Sequence, residues 1–229
     1  MQAKTVYGEI GSVLVCGLYS GNESVVFYKT SEPHGLPHDP FKSCIVPRPI
    51  AWVTSIHPNG AVNLAPFSFF NALASDPPMV MIAFTGYHPH GGEKDTLHNI
   101  KASGEFVVNM VPLAIKDAMN VTSGPHEHDV NELELAGLTA EPAQLVKPPR
   151  VLEAPIHLEC EFFQEIVLPC TLENSINSTI IGKVLGVHIR DEVLKDGLID
   201  LDLIKPLARL GYQEYTAVDN VFKMTRPGS

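Results

Sequence analysis

Small hydroxyl and amide side chains stand in and beside one aromatic stretch of the chain, NLAPFSFFNALASDPP (residues 63–78). Thr54 and Ser55 precede it, Asn63 opens it, and Ser68 lies among its three phenylalanines. Such groups can donate hydrogen bonds to a carbonyl, a ring nitrogen or a phosphate, and they leave room for a planar ring. The residue types therefore indicate a binding site for a flat ligand that carries polar groups.

The spacing of these residues predicts a β-hairpin that turns at Asn59-Gly60, a strong turn signal between two β-rich runs. A two-residue loop would place Thr54 opposite Ala65, whereas a one-residue bulge would place Ser55 opposite Asn63. Either register brings hydroxyl groups and an amide together on adjacent strands. The alternative is that Thr54 and Ser55 are ordinary strand residues, since threonine is a good strand former.

The segment after the hairpin is predicted to be a loop that can hold an anion. Pro66 favours an extended Ala65, so that the backbone of Phe67 and Ser68 is presented with free amides beside a serine hydroxyl. That hydroxyl would cost about 1–3 kcal/mol if it were buried without a partner, which favours a binding role for Ser68. At least two of the three phenylalanines are better explained as core residues or as a dimer contact.

A third segment, GGEKDTLHNI (91–100), has the composition of a phosphate site. Asp95 can cap a helix that runs to about Ser103, and this places Lys94 and Thr96 at its first turn. Helix N-termini with a nearby cation bind phosphate well. The carboxylate of Asp95 would repel a phosphate unless it is turned away into the cap.

Composition limits the class of protein. The length of 229 residues predicts one enlarged domain or a domain with appendages. The formal net charge of −10 argues against binding to nucleic acid or to an anionic membrane surface. The four cysteines form no CxxC pair, and the apolar run at residues 10–19 is too short to span a bilayer. We therefore predict a soluble protein of the reducing cytoplasm.

The pattern of apolar runs is mainly that of β-strands. Helices are predicted only at 95–103, 113–120 and 129–136, where Asp129 and Glu132 have the spacing of a capping box. Most connections are short enough for antiparallel pairing, so the sequence predicts a closed or split antiparallel β-barrel with a few short helices. The strands are predicted at 50–56, 61–65, 79–85, 105–111, 156–168 and 178–193, after short strands and turns in residues 1–40.

Five stretches of the chain together resemble the flavin reductase-like family of FMN-binding split barrels. That family includes flavoredoxins and the reductase components of two-component flavin monooxygenases. The order and spacing of the first two stretches are fairly specific to it. The matching stretches are PRPIAWVTS (47–55), NLAPFSFFNALASDPP (63–78), KDTLHNI (94–100), EFVVNMV (105–111) and RLGYQEYT (209–216).

The resemblance implies a homodimer with FMN in a groove at the subunit interface. It divides the chain into an N-terminal extension of unknown role (1–40) and a flavin reductase-like domain (41–229). It also assigns the residues that contact the cofactor. These are Thr54 and Ser55 at the flavin or its chain, Ala65, Pro66, Phe67 and Ser68 around the ring and phosphate, and Lys94 and Thr96 at the phosphate.

The activity implied by the resemblance is reduction of FMN by NADH or NADPH, with an oxygenase or another protein as the electron acceptor. Hydride transfer between two stacked rings needs no obligatory acid or base, so no catalytic side chain is assigned. The alternative is a non-enzymatic FMN electron carrier of the flavoredoxin type. The sequence does not distinguish the two.

The histidines suggest a further alternative, a metal hydrolase. His88 and His90 are two residues apart, as are His126 and His128, and this offset places both imidazoles of a pair on one side of an extended chain. Each pair lies in a Pro- or Gly-rich loop, and no third ligand has a motif-like spacing. Solvated loop histidines without a metal are therefore expected. No GxSxG motif supports nucleophilic catalysis.

Overall fold

The computed structural model describes residues 9–10, 13–14 and 25–228 of the chain. The chain divides into two compact units, Met1–Val46 and Pro47–Ser229. In the first unit, strands β1 (Glu9–Ile10) and β2 (Val13–Leu14) pair antiparallel, and a 3₁₀ helix spans Phe41–Cys44. Most of the expected strands and turns of residues 1–40 lie outside the described residues. The domain boundary at 40/41 stays a prediction.

The second unit contains the remaining strands and four short α-helices. Their bounds are β3 (Arg48–Pro49), β4 (Ala51–Ile56), β5 (Val62–Phe67), β6 (Phe70–Ser75), β7 (Pro78–Thr85), α1 (Asp95–Ser103), β8 (Glu105–Asn109), α2 (Lys116–Val121), α3 (Glu132–Leu135), β9 (Ala140–Glu141), β10 (Arg150–Val151), β11 (Ile156–Leu168), β12 (Asn177–Ile189), β13 (Leu194–Lys195), β14 (Leu198–Ile199), α4 (Leu201–Ile204), β15 (Leu207–Arg209) and β16 (Tyr215–Ala217).

Seven of these strands form one antiparallel sheet in the order β5-β4-β8-β11-β12-β7-β6. Strands β5 and β6 lie at opposite edges, yet only Ser68 and Phe69 separate them in sequence. Two residues cannot cross a flat seven-stranded sheet, so the sheet must curl until its edges meet. The carbonyl of Phe69 accepts from the Ala83 amide of β7 at 2.8 Å, which fixes this junction. The predicted mainly β split barrel with few short helices is confirmed.

Strand β4 is buried on both faces, which explains its nearly continuous apolar sequence. Ala51 and Val53 pack in a core cluster with helix α1 and strands β7, β8 and β12, whereas Trp52 belongs to a second cluster with α2 and α3. Because side chains alternate along a strand, Thr54 and Ser55 also lie on opposite faces. The indole Nε1 of Trp52 donates to the hydroxyl of Thr122 at 2.8 Å.

The β4–β5 hairpin has the second of the two expected registers. Ser55 lies opposite Asn63, and Thr54 lies opposite Leu64, so the two-residue loop is wrong. The His57 amide instead bonds to the Ala61 carbonyl at 2.9 Å, which leaves a three-residue loop. Gly60, the last of the three, has φ +94°, the left-handed conformation that such loops require at this position.

The expected anion-binding loop at 65–68 is corrected by the structure, because Ala65, Pro66 and Phe67 belong to strand β5. They pair with Val53, Trp52 and Ala51, and only Ser68 lies beyond the strand. Proline is tolerated here since β5 is an edge strand, where a missing amide donor breaks no second ladder. The backbone of this segment is therefore held in the sheet.

Helix α1 confirms the predicted helix at 95–103. Its N-cap is Lys94, whereas Asp95 is the first helical residue, so the expected Asp95 cap is shifted by one position. At the other end Gly104 adopts φ 75°, and its amide bonds to the Ile100 carbonyl. A left-handed glycine after the last turn is a common helix stop.

The two smaller helical predictions are met in part. A 3₁₀ helix at Leu113–Ile115 leads into α2, whereas α3 begins only at Glu132. Its N-cap is Asn131, whose side chain accepts from the Glu134 amide. Asp129 has φ 65° and lies outside the helix, so the capping box with Glu132 is wrong.

The predicted strands at 79–85, 105–111 and 156–168 correspond to β7, β8 and β11. The strand predicted at 178–193 ends at Ile189, and a 3₁₀ helix at Asp191–Val193 follows it. A bilayer-crossing helix must be long and apolar, and none of the helices in the described residues is both.

His157 is a polar group enclosed in the interior on β11. It is 1% exposed, its Nε2 lies 2.9 Å from the Val151 carbonyl, and its Nδ1 has no hydrogen-bond partner among the described residues. Burial lowers the pKa of His157 to about 4. The neutral imidazole is therefore the form that the fold accommodates.

This burial predicts acid sensitivity. The pKa of His157 is lower in the fold than in the unfolded chain, so the unfolded chain binds the proton first as the pH falls. The contribution of neutral His157 to the free energy of unfolding is fully present above about pH 6.5. It falls by about 3 kcal/mol as the pH is lowered towards 4. We expect His157→Gln to have a lower free energy of unfolding than the wild type at pH 7. In urea unfolding at pH 4.5 the two values should be closer. The exposed His98→Gln is the control, and a constant gap between wild type and His157→Gln would contradict the prediction.

Candidate functional site

An open cavity of about 210 Å³ lies between strand β5, the start of helix α1 and the loop after α2. It contains side chains of both charges together with a wall formed by strand β5. Its lining residues are Asn63, Ala65, Pro66, Phe67, His88, Pro89, Lys94, Asp95, Thr96, Thr122, Ser123, Gly124, Pro125, His126 and Glu132.

Five of the eight residues expected at the site line this cavity. Ala65, Pro66 and Phe67 form the β5 wall, and Lys94 and Thr96 stand at the start of α1. Residues from two segments that are far apart in sequence are thus brought together.

Thr54 and Ser55 do not line the cavity, because they are fully buried in β4 and lie on opposite faces of the sheet. The hydroxyl of Thr54 donates to the Pro149 carbonyl at 2.5 Å. The hydroxyl of Ser55 accepts from the side-chain amides of Asn63 at 3.4 Å and Asn99 at 3.2 Å. Ser55 therefore supports the cavity wall from behind, whereas Thr54 stabilises the opposite face.

Ser68 also lies outside the cavity lining, at the turn between β5 and β6. Its hydroxyl accepts from Nε of Arg48 at 3.4 Å, and the Arg48 guanidinium lies 5.8 Å from the ring centroid of Phe69. Arg48 also donates to the Leu210 carbonyl at 2.8 Å. This arrangement gives Ser68 a structural partner in the chain itself.

Asn63 also lines the cavity, although it is not among the eight residues expected to contact the cofactor. Its Nδ2 donates to the Thr96 hydroxyl at 2.8 Å, so the hairpin and helix α1 are directly linked. As the Thr96 oxygen is an acceptor in this bond, its own proton has no acceptor among the described residues. The predicted register with Asn63 opposite Ser55 was the sequence feature that could have indicated this role of Asn63 at the cavity.

The start of helix α1 is electropositive. No side chain caps the helix, so its first amides are left for another acceptor. Lys94 is half-buried beside them, and its pKa is lowered by burial, with no carboxylate among the described residues to offset the effect. An uncapped helix start, an ammonium and a hydroxyl donor make this end of the cavity suitable for an anion.

Asp95 lines the cavity, and its carboxylate is paired with two histidines, which offset part of the repulsion expected for a phosphate. Its Oδ1 lies 2.6 Å from Nδ1 of His128, and its Oδ2 lies 3.6 Å from Nε2 of His88. The hydrogen bond that the Asp95 carboxylate accepts raises the pKa of His128. The expectation of solvated loop histidines is wrong for His88, whose side chain is only 11% exposed.

Glu132 forms the floor of the cavity near β5. Its carboxylate accepts from the Leu64 amide at 2.9 Å, and burial raises its pKa. The loop after α2 forms the opposite side, where Nε2 of His126 lies 2.9 Å from the Val121 carbonyl. Neither this loop nor Glu132 was expected at the site, because no local sequence pattern relates them to β5.

Comparison with known proteins gives the chain a family. Residues 43–208 match the model of the flavin reductase like domain. An uncharacterized protein of Halalkalibacterium halodurans is 38% identical over 183 residues, which are 80% of this chain and 87% of the relative.

Two solved structures are similar in fold. Nitrilotriacetate monooxygenase component B from Bacillus cereus is 30% identical with a TM-score of 0.80, and the match covers 89% of this chain and 100% of that chain. A Shewanella frigidimarina protein described as having a split barrel domain is 23% identical with a TM-score of 0.69, and covers 81% of this chain and 89% of that one. The match over residues 43–208, with the barrel and its cavity, shows that the chain belongs to the flavin reductase like domain family.

Proposed function

We propose that this chain binds FMN in the cavity and reduces it with NADH or NADPH. One observation supports this above the others. A single cavity joins the uncapped start of α1, with Lys94 and Thr96, to the flat wall of β5 formed by Ala65–Phe67. The first part suits a phosphate and the second suits a planar ring.

The donor set fits the phosphate of FMN. The first amides of α1, the ammonium of Lys94 and the hydroxyl of Thr96 all carry hydrogens that can point to one anion. Asn63 holds Thr96 through a bond of 2.8 Å to its oxygen, so the hydroxyl is oriented before a ligand arrives. Such prior orientation reduces the entropy that binding must overcome.

The wall of β5 fits the ring system. Ala65 and Pro66 are small and carry no donor or charge in their side chains, so a flat ring can approach the strand closely. Phe67 packs against Phe84 with ring centroids 4.7 Å apart, which holds this end of the wall in place. The wall is thus a rigid surface that can fix the orientation of a ring.

FMN supplies the redox chemistry when it is bound, by accepting a hydride from reduced nicotinamide and passing the electrons onward. The chain binds the cofactor, orients its ring and leaves one side open for the nicotinamide. No side chain has to transfer a proton in this scheme. This agrees with the lack of an assigned catalytic residue.

The electron acceptor that we propose is a partner oxygenase or another redox protein. The support comes from the similar structure named as a monooxygenase component B, a name that implies a separate oxygenase component. We also propose a cytoplasmic location, in agreement with the cysteine pattern. The flavoredoxin-type electron carrier remains the alternative, since the same cavity would serve it.

We further propose that the functional unit is a homodimer. The cavity of about 210 Å³ is small beside ligand sites of roughly 300–1,000 Å³, so a second chain would be needed to enclose FMN. An exposed apolar stripe on β12 supports this: Leu185, Val187 and Ile189 stand at two-residue spacing and are 39%, 55% and 37% exposed. Val187 and Ile189 are alternate residues and share one face of the strand, and the exposed Leu185 stands at the β-bulge next to them.

The main experiment follows the flavin spectrum of the full chain. We expect added FMN to bind, and NADH or NADPH to bleach the bound flavin under anaerobic conditions while the nicotinamide is oxidised. An electron carrier would bind FMN but stay oxidised until a protein donor was added. A protein that does not bind FMN would contradict both functions.

Substitution of Lys94 tests the phosphate end of the cavity. We expect Lys94→Ala to weaken FMN binding about 10- to 100-fold, because a charge-assisted contact of about 1.5–3 kcal/mol is lost. Riboflavin lacks the phosphate, so its affinity should change less than about twofold. The matched control is Lys116→Ala, since Lys116 is exposed and pairs only with Asp117 among the described residues. Equal losses for FMN and riboflavin would place the phosphate elsewhere.

Substitution of Val187 tests the dimer. We expect the wild type to elute as a dimer in size-exclusion chromatography with light scattering, and Val187→Asp to elute as a monomer with weakened FMN binding. Leu203→Asp on α4 is the control, because Leu203 is similarly exposed at 61% but lies outside the stripe. Persistence of the dimer in Val187→Asp would show that another surface forms the interface.

A further inference from the structure

Three side chains with metal-binding atoms meet at the edge of the cavity. His88 follows β7, Asp95 is the first residue of α1, and His128 lies between α2 and α3. One ligand atom from each lies within 4.8 Å of the others. The three residues come from three separate segments, so the fold alone brings them together.

The orientation of His128 calls for a cation beside its Nδ1. Its Nε2 lies 3.2 Å from the Gly91 carbonyl and therefore carries a hydrogen that it donates. In the neutral imidazole Nδ1 then presents a lone pair, which lies 2.6 Å from the carboxylate of Asp95. Two acceptors at this distance repel, so the observed separation fits a proton on Nδ1, and a metal ion would replace this proton once the two atoms move apart. A metal-bound histidine commonly donates its second N–H to a backbone carbonyl, as His128 does.

The distances are close to those of a metal site. A tetrahedral ion with bonds of about 2.0–2.1 Å separates neighbouring ligand atoms by about 3.3 Å. The observed separations from Asp95 are 2.6 Å to His128 and 3.6 Å to His88. These two separations involve different carboxylate oxygens of Asp95, and the three ligand atoms lie within 4.8 Å of one another, so side-chain adjustment would bring them to one ion.

His88 requires a change of tautomer to take part. Its Nδ1 accepts from the His90 amide at 3.2 Å, which places its proton on Nε2 towards Asp95. Coordination through Nε2 moves this proton to Nδ1 and gives up the bond from His90. The tautomer change therefore costs only the hydrogen bond of 3.2 Å from the exposed His90 amide.

The segments that carry the two histidines are held in place. Asp129, next to His128, has φ 65°, and its carboxylate accepts from Nδ2 of Asn59 at 3.0 Å. The His88 amide bonds to the Gly92 carbonyl at 2.9 Å, which closes the turn after β7. The backbone segments that carry the ligands are thus held in place, and only side chains have to adjust when an ion arrives.

We propose that His88, Asp95 and His128 bind one divalent transition-metal ion of the Zn²⁺ class. Two imidazoles and a carboxylate are the ligands that Zn²⁺ and its neighbours prefer, whereas Mg²⁺ and Ca²⁺ prefer oxygen ligands. Three protein ligands leave a fourth position for water or another small ligand. The site adjoins the cavity, since His88 and Asp95 also line it.

The test uses the full chain, freed of metal with a chelator and then dialysed. We expect calorimetric titration with Zn²⁺ to show one ion bound per chain, and His128→Gln and His88→Gln each to weaken binding at least tenfold. His98→Gln is the matched control, because His98 is exposed on the same helix as Asp95 and lies outside the cluster. Millimolar Mg²⁺ should not displace the Zn²⁺.

Thermal melting is used to check that each variant folds. If His128→Gln does not fold, His88→Gln alone decides the outcome. Co²⁺ gives a second readout, through a visible spectrum that both cluster variants should lose. Absence of Zn²⁺ binding, or equal affinity in wild type and cluster variants, would overturn the proposal and identify a proton-bridged ion pair. Flavin is not present in these assays, so their result is independent of the proposed function.

Discussion

The connection of two opposite sheet edges by Ser68 and Phe69 is the constraint on which the remaining structure depends. It requires the seven strands to curl into a barrel, and β5, at one end of the strand order, has only β4 as a hydrogen-bonded neighbour among the described residues. An edge strand can include Pro66 without loss of a second ladder. The same edge forms the flat wall of the cavity. The barrel closure and the binding surface thus have one cause.

Because side chains alternate along β4, the adjacent residues Thr54 and Ser55 lie on opposite faces of the sheet, and only Ser55 lies on the face of Asn63. Ser55 points to the face where Asn63, Asn99 and Thr96 form a chain of hydrogen bonds. Thr54 points to the other face, where it bonds to the Pro149 carbonyl. A pair of adjacent polar residues therefore serves two different regions. Of the two, only Ser55 is hydrogen-bonded to a described residue that lines the cavity, and that residue is Asn63.

Sequence reasoning predicted the fold and helix α1 well, because long apolar runs and the turn signals at Gly60 and Gly104 are local. Two of the segments that it assigned to the site, Ala65–Phe67 and Lys94 with Thr96, line one cavity, and their contact with a cofactor stays a prediction. It failed where a residue's role depends on its neighbours in space. The pairing of Asp95 with His88 and His128 joins the start of helix α1 to two loops that share no motif with it. The position of Pro66 in a strand depends on that strand being an edge, which residue types alone do not show.

The chain contains one tryptophan, Trp52, fully buried in the cluster that β4 forms with α2 and α3. Its indole is bonded to Thr122, which also lines the cavity. Intrinsic fluorescence therefore arises from one indole, free of overlapping emission from others. Because this emitter sits one hydrogen bond from the cavity wall, the molecule carries its own optical reporter, sensitive both to loss of the fold and to energy transfer towards any chromophore that enters beside it.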